Sequence, residues 1–120
     1  MSNRASVETA IGLFFEAINS NDASVLPLSE NVEYRGILTP DPKRGEAEVR
    51  EHIEQVAPFV LNLSRKQTVI ENNSAAVLVD FEGVNGVRVE GAYFLQLENG
   101  EFSQITAVFD SRPLFAGSAG

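Results

Sequence analysis

The sequence predicts an α+β fold in which a cone-shaped, curved antiparallel sheet wraps around three N-terminal helices. Three observations predict it. Helical apolar patterns lie in the first half of the chain, extended segments fill the second half, and two Asn-Gly pairs, Asn85-Gly86 and Asn99-Gly100, separate the last of these segments. Asn-Gly supplies the positive φ angles of a tight type I′ turn, so each pair marks a strand that folds back on its neighbour.

The helices are predicted from the spacing of apolar residues. The first helix carries such residues at helical spacing: Val7, Ile11, Phe14 and Ile18. It ends at residues 19–22, whose short polar side chains compete with helical hydrogen bonds, and Asp22 is placed to cap a brief second helix. A third helix is predicted over residues 46–57, with Glu46 and Arg50 paired on its outer side and Pro58 at its end.

The extended segments are predicted from alternation of apolar and polar residues. A short strand follows the second helix, and four more form a meander in the second half, at residues 31–38, 59–70, 75–83, 87–97 and 101–113. All elements fit one domain over residues 1–115, and the small-residue segment 116–120 is predicted to be a disordered tail.

Composition excludes several classes of function. Nine basic and seventeen acidic residues give a formal net charge of −8 at pH 7, which repels nucleic acids and anionic membrane surfaces. The chain has no cysteine, so disulfides and thiolate metal sites are excluded, and one histidine cannot supply a clustered metal site. A polar start and the lack of a long apolar run predict a cytoplasmic protein. No metal and no cofactor are predicted.

The order of elements resembles the nuclear transport factor two-like superfamily, and its SnoaL-like branch most of all. The resemblance lies in the Asn-Asp turn at 21–22, a strand with Tyr34, Arg44-Gly45 before a helix, and a meander that ends Ile-Thr-Ala-Val-Phe-Asp at 105–110. It covers residues 7–115 and implies a cone that holds a small, mostly apolar molecule. It also implies a homodimer that pairs through the outer face of the sheet.

One catalytic pattern of this superfamily is missing from the chain. Limonene epoxide hydrolases, which the chain resembles through Tyr34, position water with an Asp, Arg, Asp group. Here the last-strand Asp of that group falls on Ala107. Epoxide hydrolysis by that mechanism is therefore not expected.

The ketosteroid isomerase pattern is matched only in part. The resemblance places Phe14 or Phe15 at the helix tyrosine, Tyr34 or Arg35 at the general base, and Tyr93 at the oxyanion Asp. A phenol with a pKa near ~10 is a hydrogen-bond donor at neutral pH and a poor base. Tyr34 and Tyr93 are accordingly predicted as catalytic donors, with ordinary core packing as the alternative.

His52 and Asp110 are the predicted candidates for the base. His52 is the only histidine, and the alternative is a packed side chain paired with Glu48 one helical turn earlier. Asp110 lies near the end of the last strand, where some SnoaL-like cyclases keep an acidic acid/base residue, and the alternative is a pair with Arg112 or Arg88. Asp80 is placed by alternation on the outer sheet face, in solvent or a dimer contact.

The predicted pocket lining is apolar. It consists of Phe14, Phe15, Val56, Phe59, Val79, Phe81, Leu95, Ile105, Ala107 and Phe109. Such a lining suits a small hydrophobic, carbonyl-bearing ligand. The predicted function is a cofactor-independent isomerase, cyclase or lyase that acts by proton transfer. The alternative is a non-catalytic dimeric ligand-binding or interaction domain.

Overall fold

A computed structural model describes residues 3–36, 41–83 and 85–109. The fold is α+β, with helices α1 (Asn3–Ser20) and α2 (Glu46–Val56) and one curved sheet that does not close. The strands are β1 (Leu28–Arg35), β2 (Lys43–Arg44), β3 (Leu61–Glu71), β4 (Ser74–Glu82), β5 (Arg88–Glu98) and β6 (Glu101–Phe109). The predicted fold class is confirmed. The brief second helix is a single 3-10 turn, Ala23–Val25, capped by Asp22 as predicted.

The strands lie in the order β2-β1-β6-β5-β4-β3. The last four strands form the predicted antiparallel meander, whereas β1 runs parallel to β6. β2 was not predicted, because a two-residue strand after a proline has no alternation to recognise. It pairs with β1 and extends the sheet at that edge.

Helix α1 ends in a hydrogen-bonded cap rather than by side-chain competition. Asn21 adopts a left-handed conformation with φ of 58°. Its N–H donates to Ile18, and the N–H of Asp22 donates to the carbonyl of Ala17. These two bonds form a Schellman motif, in which asparagine replaces the usual glycine. The helix is further fixed to β3 because Asn19 exchanges two hydrogen bonds with the backbone of Leu63.

The two Asn-Gly pairs fold differently. Asn99 and Gly100 both have positive φ, 53° and 80°, as a type I′ turn between β5 and β6 requires. At the first pair only Gly86 has positive φ, and Gly86 and Val87 both bond to Gly83. The type I′ prediction is wrong there. The β4–β5 connection is a longer loop closed by a left-handed glycine, so Asn85 needs no positive φ.

Helix α2 begins after Gly45 and is hydrogen-bonded to the segment that precedes β1. The carboxylate of Glu48 accepts the backbone N–H of Arg44, which ties the first turn of the helix to β2. Arg50 pairs with Glu46 at 2.8 Å, as predicted, and also donates to the carbonyls of Ala23 and Leu26. These bonds hold α2 against the 3-10 turn and the strand that follows it.

The core lies between α1 and the concave side of the sheet, called here the inner face. The ring of Phe14 in α1 contacts the rings of Tyr93 and Phe102 at 4.7 and 5.8 Å between centroids. No helix formed by the described residues is long and apolar enough to cross a membrane. The predicted tail at 116–120 and the last-strand positions 110–113 lie outside the described residues.

Candidate functional site

Two tyrosines share the inner face of the sheet on either side of β6. Tyr34 in β1 is the register partner of Ile105, and Tyr93 in β5 is the partner of Ala107. Paired residues point to the same face of a sheet, so both phenols enter the same side of the core. Tyr34 is 5% exposed and Tyr93 is 2% exposed. The sheet order thus brings together two predicted site residues that are 59 positions apart in sequence.

Both phenols are held in their neutral form. Burial raises the pKa of Tyr34 to about 12. The pKa of Tyr93 is well above its usual value because of burial and because of repulsion by an ionised Tyr34. Burial is the larger of the two causes for Tyr93. No hydrogen bond from a described residue contributes to either shift, and both groups therefore act as donors near neutral pH.

His52, on helix α2, lies against Tyr34. Its ring centroid lies 4.8 Å from that of Tyr34, and the ring planes are tilted by 58°. The side chain is half-buried, whereas its helix neighbours Val49 and Ile53 are buried in the core. Burial, and the charge of Lys43, lower the pKa of His52, so the imidazole is neutral at pH 7. Tyr34, Tyr93 and His52 are called the tyrosine site below.

A line of aromatic rings runs from the tyrosine site along the inner face. Phe109 contacts Tyr93 edge-on at 5.3 Å and Phe81 at 5.1 Å. Phe14 contacts Tyr93 from the other side. Phe109 and His52 are the half-buried members, so each tyrosine is covered by one ring that reaches the surface.

Gly91 makes room for the ring of Phe109. The two residues are register partners on β5 and β6. A Cβ atom on Gly91 would lie 2.2 Å from a ring carbon of Phe109 and 2.4 Å from the carbonyl oxygen of Val108. The second contact is with backbone, which cannot rotate away. Only glycine allows Phe109 to lie against Tyr93.

The remaining predicted lining residues differ in exposure. Buried are Phe14, Val79, Phe81, Leu95, Ile105 and Ala107, and half-buried are Phe15, Val56 and Phe109. Phe59 is 60% exposed at the end of the 3-10 turn Ala57–Phe59. Asp110 lies outside the described residues. The roles of these residues in binding and catalysis stay predictions.

Surface grooves formed by the described residues lie away from the tyrosine site. A groove of about 340 Å³ opens on the outer face of the sheet between Val69, Phe94 and Thr106, and Leu95 is the one predicted lining residue that borders it. A second groove of about 640 Å³ lies where the end of α1 meets the start of β3. Neither groove is bordered by the two tyrosines or His52. No group of three acidic or histidine side chains suited to a metal occurs in the described part of the chain.

Asp80 lies on the outer face, as predicted, but its side chain is covered. Lys66 approaches it at 3.3 Å, and Arg88 also donates to it. Burial raises the pKa of Asp80, yet the hydrogen bonds from Lys66 and Arg88 outweigh that effect and the net pKa is lowered. The expectation that Asp80 meets solvent or a partner directly is therefore corrected. Its long cationic neighbours shield it.

One residue beside the site was not predicted. Lys43 pairs with Tyr34 across β1 and β2, and its charge reaches His52. Lys43 and Arg44 are adjacent cations that the sequence alone does not distinguish. The strand register shows that they lie on opposite faces of the sheet. Arg44 pairs with Glu33 on the outer face, whereas Lys43 begins on the inner face with Tyr34.

No described protein family and no curated protein matches the sequence. Solved structures are similar in fold. An NTF2-like protein of unknown function from Cytophaga hutchinsonii is 21% identical, with 91% of this chain and 94% of that chain covered and a TM-score of 0.73. A steroid delta-isomerase from Pseudomonas aeruginosa is 14% identical, with 96% and 88% covered and a TM-score of 0.79. An LEH-like epoxide hydrolase from M. tuberculosis is 13% identical, with 94% and 89% covered and a TM-score of 0.76. The chain has the NTF2-like fold.

Proposed function

We propose that this NTF2-like chain binds a small, mostly apolar carbonyl compound at the tyrosine site and transfers a proton on it without a cofactor. The observation that carries the proposal is the placement of two buried phenols on one face of the sheet, with a neutral imidazole against the first of them. The steroid delta-isomerase of the same fold supports the reaction class, since isomerases of this kind move a proton beside a carbonyl. At such low identity the fold itself does not assign an activity.

The chemistry assigns a different task to each group. His52, neutral at pH 7, removes a proton from the carbon next to the carbonyl and becomes imidazolium. The electron pair of that C–H bond forms a carbon–carbon double bond, and the π pair of the carbonyl moves to its oxygen, where Tyr34 and Tyr93 donate hydrogen bonds to the enolate. The imidazolium then returns its proton to a carbon of the enolate. The two phenols keep their protons throughout, because burial raises the pKa of each tyrosine above its ordinary value of 10.

Isotope exchange tests the proposal without knowledge of the natural substrate. A steroid ketone, a terpene ketone and an aryl diketone are incubated with the protein in deuterated water, and loss of α-protons is followed by NMR. We expect catalysed exchange for at least one compound. Loss of one donor in Tyr34→Phe or Tyr93→Phe should slow it by about 10² to 10³. His52→Gln should remove the general base and slow exchange by about 10² to 10⁴.

Thr68→Val is the matched control for the tyrosine variants. The hydroxyl of Thr68 on β3 is buried without a hydrogen-bond partner. It lies two strands from Tyr93, on the opposite side from Tyr34, so the substitution removes one buried oxygen from the same face without removing a proposed donor. Exchange should be unchanged in this variant. The enzyme proposal is contradicted if no ketone exchanges faster with wild-type protein than in buffer. If the same ketones still raise the melting temperature, the protein is a non-catalytic binding domain.

The outer face of the sheet supports a second proposal, that two copies of the chain pair through it. Four apolar side chains on neighbouring strands are 47–57% exposed there: Val69, Leu78, Phe94 and Val108. They form one patch because Ala76 and Ala92 connect them through the strand register. A contiguous apolar patch on one sheet face is typical of an isologous homodimer.

Sedimentation velocity tests the dimer. We expect a dimer for wild type and a monomer for Phe94→Glu, because two buried carboxylates would face each other across a two-fold axis. Phe59→Glu is the matched control, since Phe59 is also largely exposed but lies outside the sheet. A wild-type monomer at high concentration, or loss of the dimer in the control alone, would contradict the proposal.

A further inference from the structure

Lys43 differs from the other cations in the described part of the chain. Six of them contact a carboxylate: Arg35, Arg44, Arg50, Arg65, Lys66 and Arg88. Among the residues that the structure describes, Lys43 and Arg4 have no carboxylate within ion-pair distance. Arg4 is exposed near the start of α1, whereas Lys43 is half-buried. A half-buried cation with no described counter-ion is unusual in a chain that carries −8.

The strand register directs Lys43 toward the tyrosine site. Lys43 is the direct antiparallel partner of Tyr34, so both side chains leave the same face of the sheet. The neighbouring pair, Arg44 with Glu33, leaves the opposite face and forms an ion pair of 3.0 Å. His52 lies against the ring of Tyr34, and the charge of Lys43 reaches it. Lys43 therefore lies beside one proposed donor, and its charge acts on the proposed base.

The charge of Lys43 indicates that a ligand group bound beside it is negatively charged. Partial burial weakens the hydration of an ammonium, and an anion beside it restores the lost free energy. Arg65, the other inner-face cation on a strand, is already held by both carboxylate oxygens of Glu8 at 2.8 and 2.9 Å. Lys43 has no such described partner, and one ammonium balances one negative charge. A monoanion fits this position better than a phosphate dianion, which the net charge of the chain also repels.

We propose that the ligand of the tyrosine site carries a carboxylate as well as its carbonyl, and that Lys43 binds this carboxylate. The ligand class is then an apolar oxo acid, held by Lys43 at the surface end and by Tyr34 and Tyr93 at the carbonyl. This inference rests on the proposed function, because it assigns the second polar group of the same ligand. Lys43 is a binding and specificity residue and takes no part in the proton transfer.

A bound carboxylate would also act on His52. The positive charge of Lys43 now makes the imidazole a weaker base. A carboxylate placed against Lys43 cancels that charge, so the pKa of His52 rises when the acid binds. A neutral ligand of the same shape leaves the charge of Lys43 in place. Substrate binding would in this way strengthen the base that acts on it.

A matched pair of probes tests the inference. Benzoylpropionic acid and its primary amide have the same shape and the same ketone and differ in charge. Binding is followed through the imidazole proton signals of His52, which are unique because the chain has one histidine. We expect the acid to bind about tenfold more tightly than the amide. We also expect the acid, and not the amide, to raise the pKa of His52 measured by pH titration.

Three variants identify the residue responsible. Lys43→Gln should bind acid and amide equally, and Lys43→Arg should keep the preference for the acid. Lys66→Gln is the control, since Lys66 is engaged with Asp80 on the outer face and should keep the full preference. A preference for the acid that survives in Lys43→Gln would overturn the inference.

The outcomes separate this inference from the proposed function. Equal binding of acid and amide by wild type, with both weakened in Tyr93→Phe, overturns the role of Lys43 and leaves the proposed function standing. Tight binding of the acid that depends on Lys43 and not on Tyr93 confirms the carboxylate contact and contradicts the proposed role of the phenols. Absence of any change in the His52 signals with either probe overturns both.

Discussion

Alkaline pH should destabilise the protein through its two tyrosines. In the unfolded chain a tyrosine ionises near its ordinary pKa of 10, whereas in the folded chain burial raises the pKa of Tyr34 to about 12. The folded state therefore holds its proton longer, and the stabilisation is complete below pH 10 and is lost as the pH rises toward 12. Two pKa units correspond to about 3 kcal/mol. Tyr93 acts in the same direction.

Such a loss is large beside the stability of a small domain, about 5–15 kcal/mol in total. The assay is tyrosinate absorbance in the near ultraviolet, recorded together with circular dichroism while the pH is raised. The chain has two tyrosines and no tryptophan, so the absorbance reports on these two groups alone. We expect no tyrosinate at pH 10 and a joint rise of absorbance and loss of structure at higher pH.

A matched variant isolates the share of Tyr34. Urea unfolding of Tyr34→Phe at a series of pH values should show a pH dependence above 10 that is smaller by about 3 kcal/mol than in wild type. A reversible titration of either tyrosine near pH 10, with the circular dichroism unchanged, would refute the reasoning, because it would place that hydroxyl in water.

Two further predictions follow from the same region. Gly91→Ala should lower the free energy of unfolding by about 1–3 kcal/mol or more, because its Cβ would overlap Phe109 and a backbone oxygen; the control Gly12→Ala, in open space on α1, should raise it by about 0.5–1 kcal/mol. Equal effects of the two changes in urea unfolding would contradict the packing argument. The lowered pKa of His52 means that stability is complete above pH 6.5 and falls as the pH drops through the folded-state pKa. His52→Gln should flatten this fall above the range in which carboxylates titrate, and an unchanged curve of melting temperature against pH would contradict it.

Local chemistry made most of the fold predictable. The type I′ turn between β5 and β6 requires positive φ at both central positions, and the dipeptide Asn99-Gly100 predicts this conformation correctly. Asn85-Gly86 is the same dipeptide, yet the conformation of its loop depends on backbone hydrogen bonds to Gly83. The dipeptide alone does not predict these bonds. The parallel pairing of β1 with β6 was equally hidden, because strand order depends on contacts between segments that are distant in the chain.

The site was predictable in type and not in arrangement. Family resemblance and alternation selected Tyr34 and Tyr93, but only the strand order, with β6 between their strands, places both side chains on the same face of the sheet. The helical stripe put His52 among core residues, and its contact with Tyr34 comes from the docking of α2. Lys43 could not be distinguished from Arg44 without the register of β2.

The central claim is that Tyr34 and Tyr93 donate hydrogen bonds to one ligand carbonyl. The most direct measurement is the infrared stretch of a carbonyl-labelled ketone, taken as the panel compound that most raises the melting temperature. We expect its frequency in the wild-type complex to lie below that in an apolar solvent, and to rise in Tyr34→Phe and again in Tyr93→Phe. A frequency equal to that in the apolar solvent, or one that neither variant changes, would contradict the account.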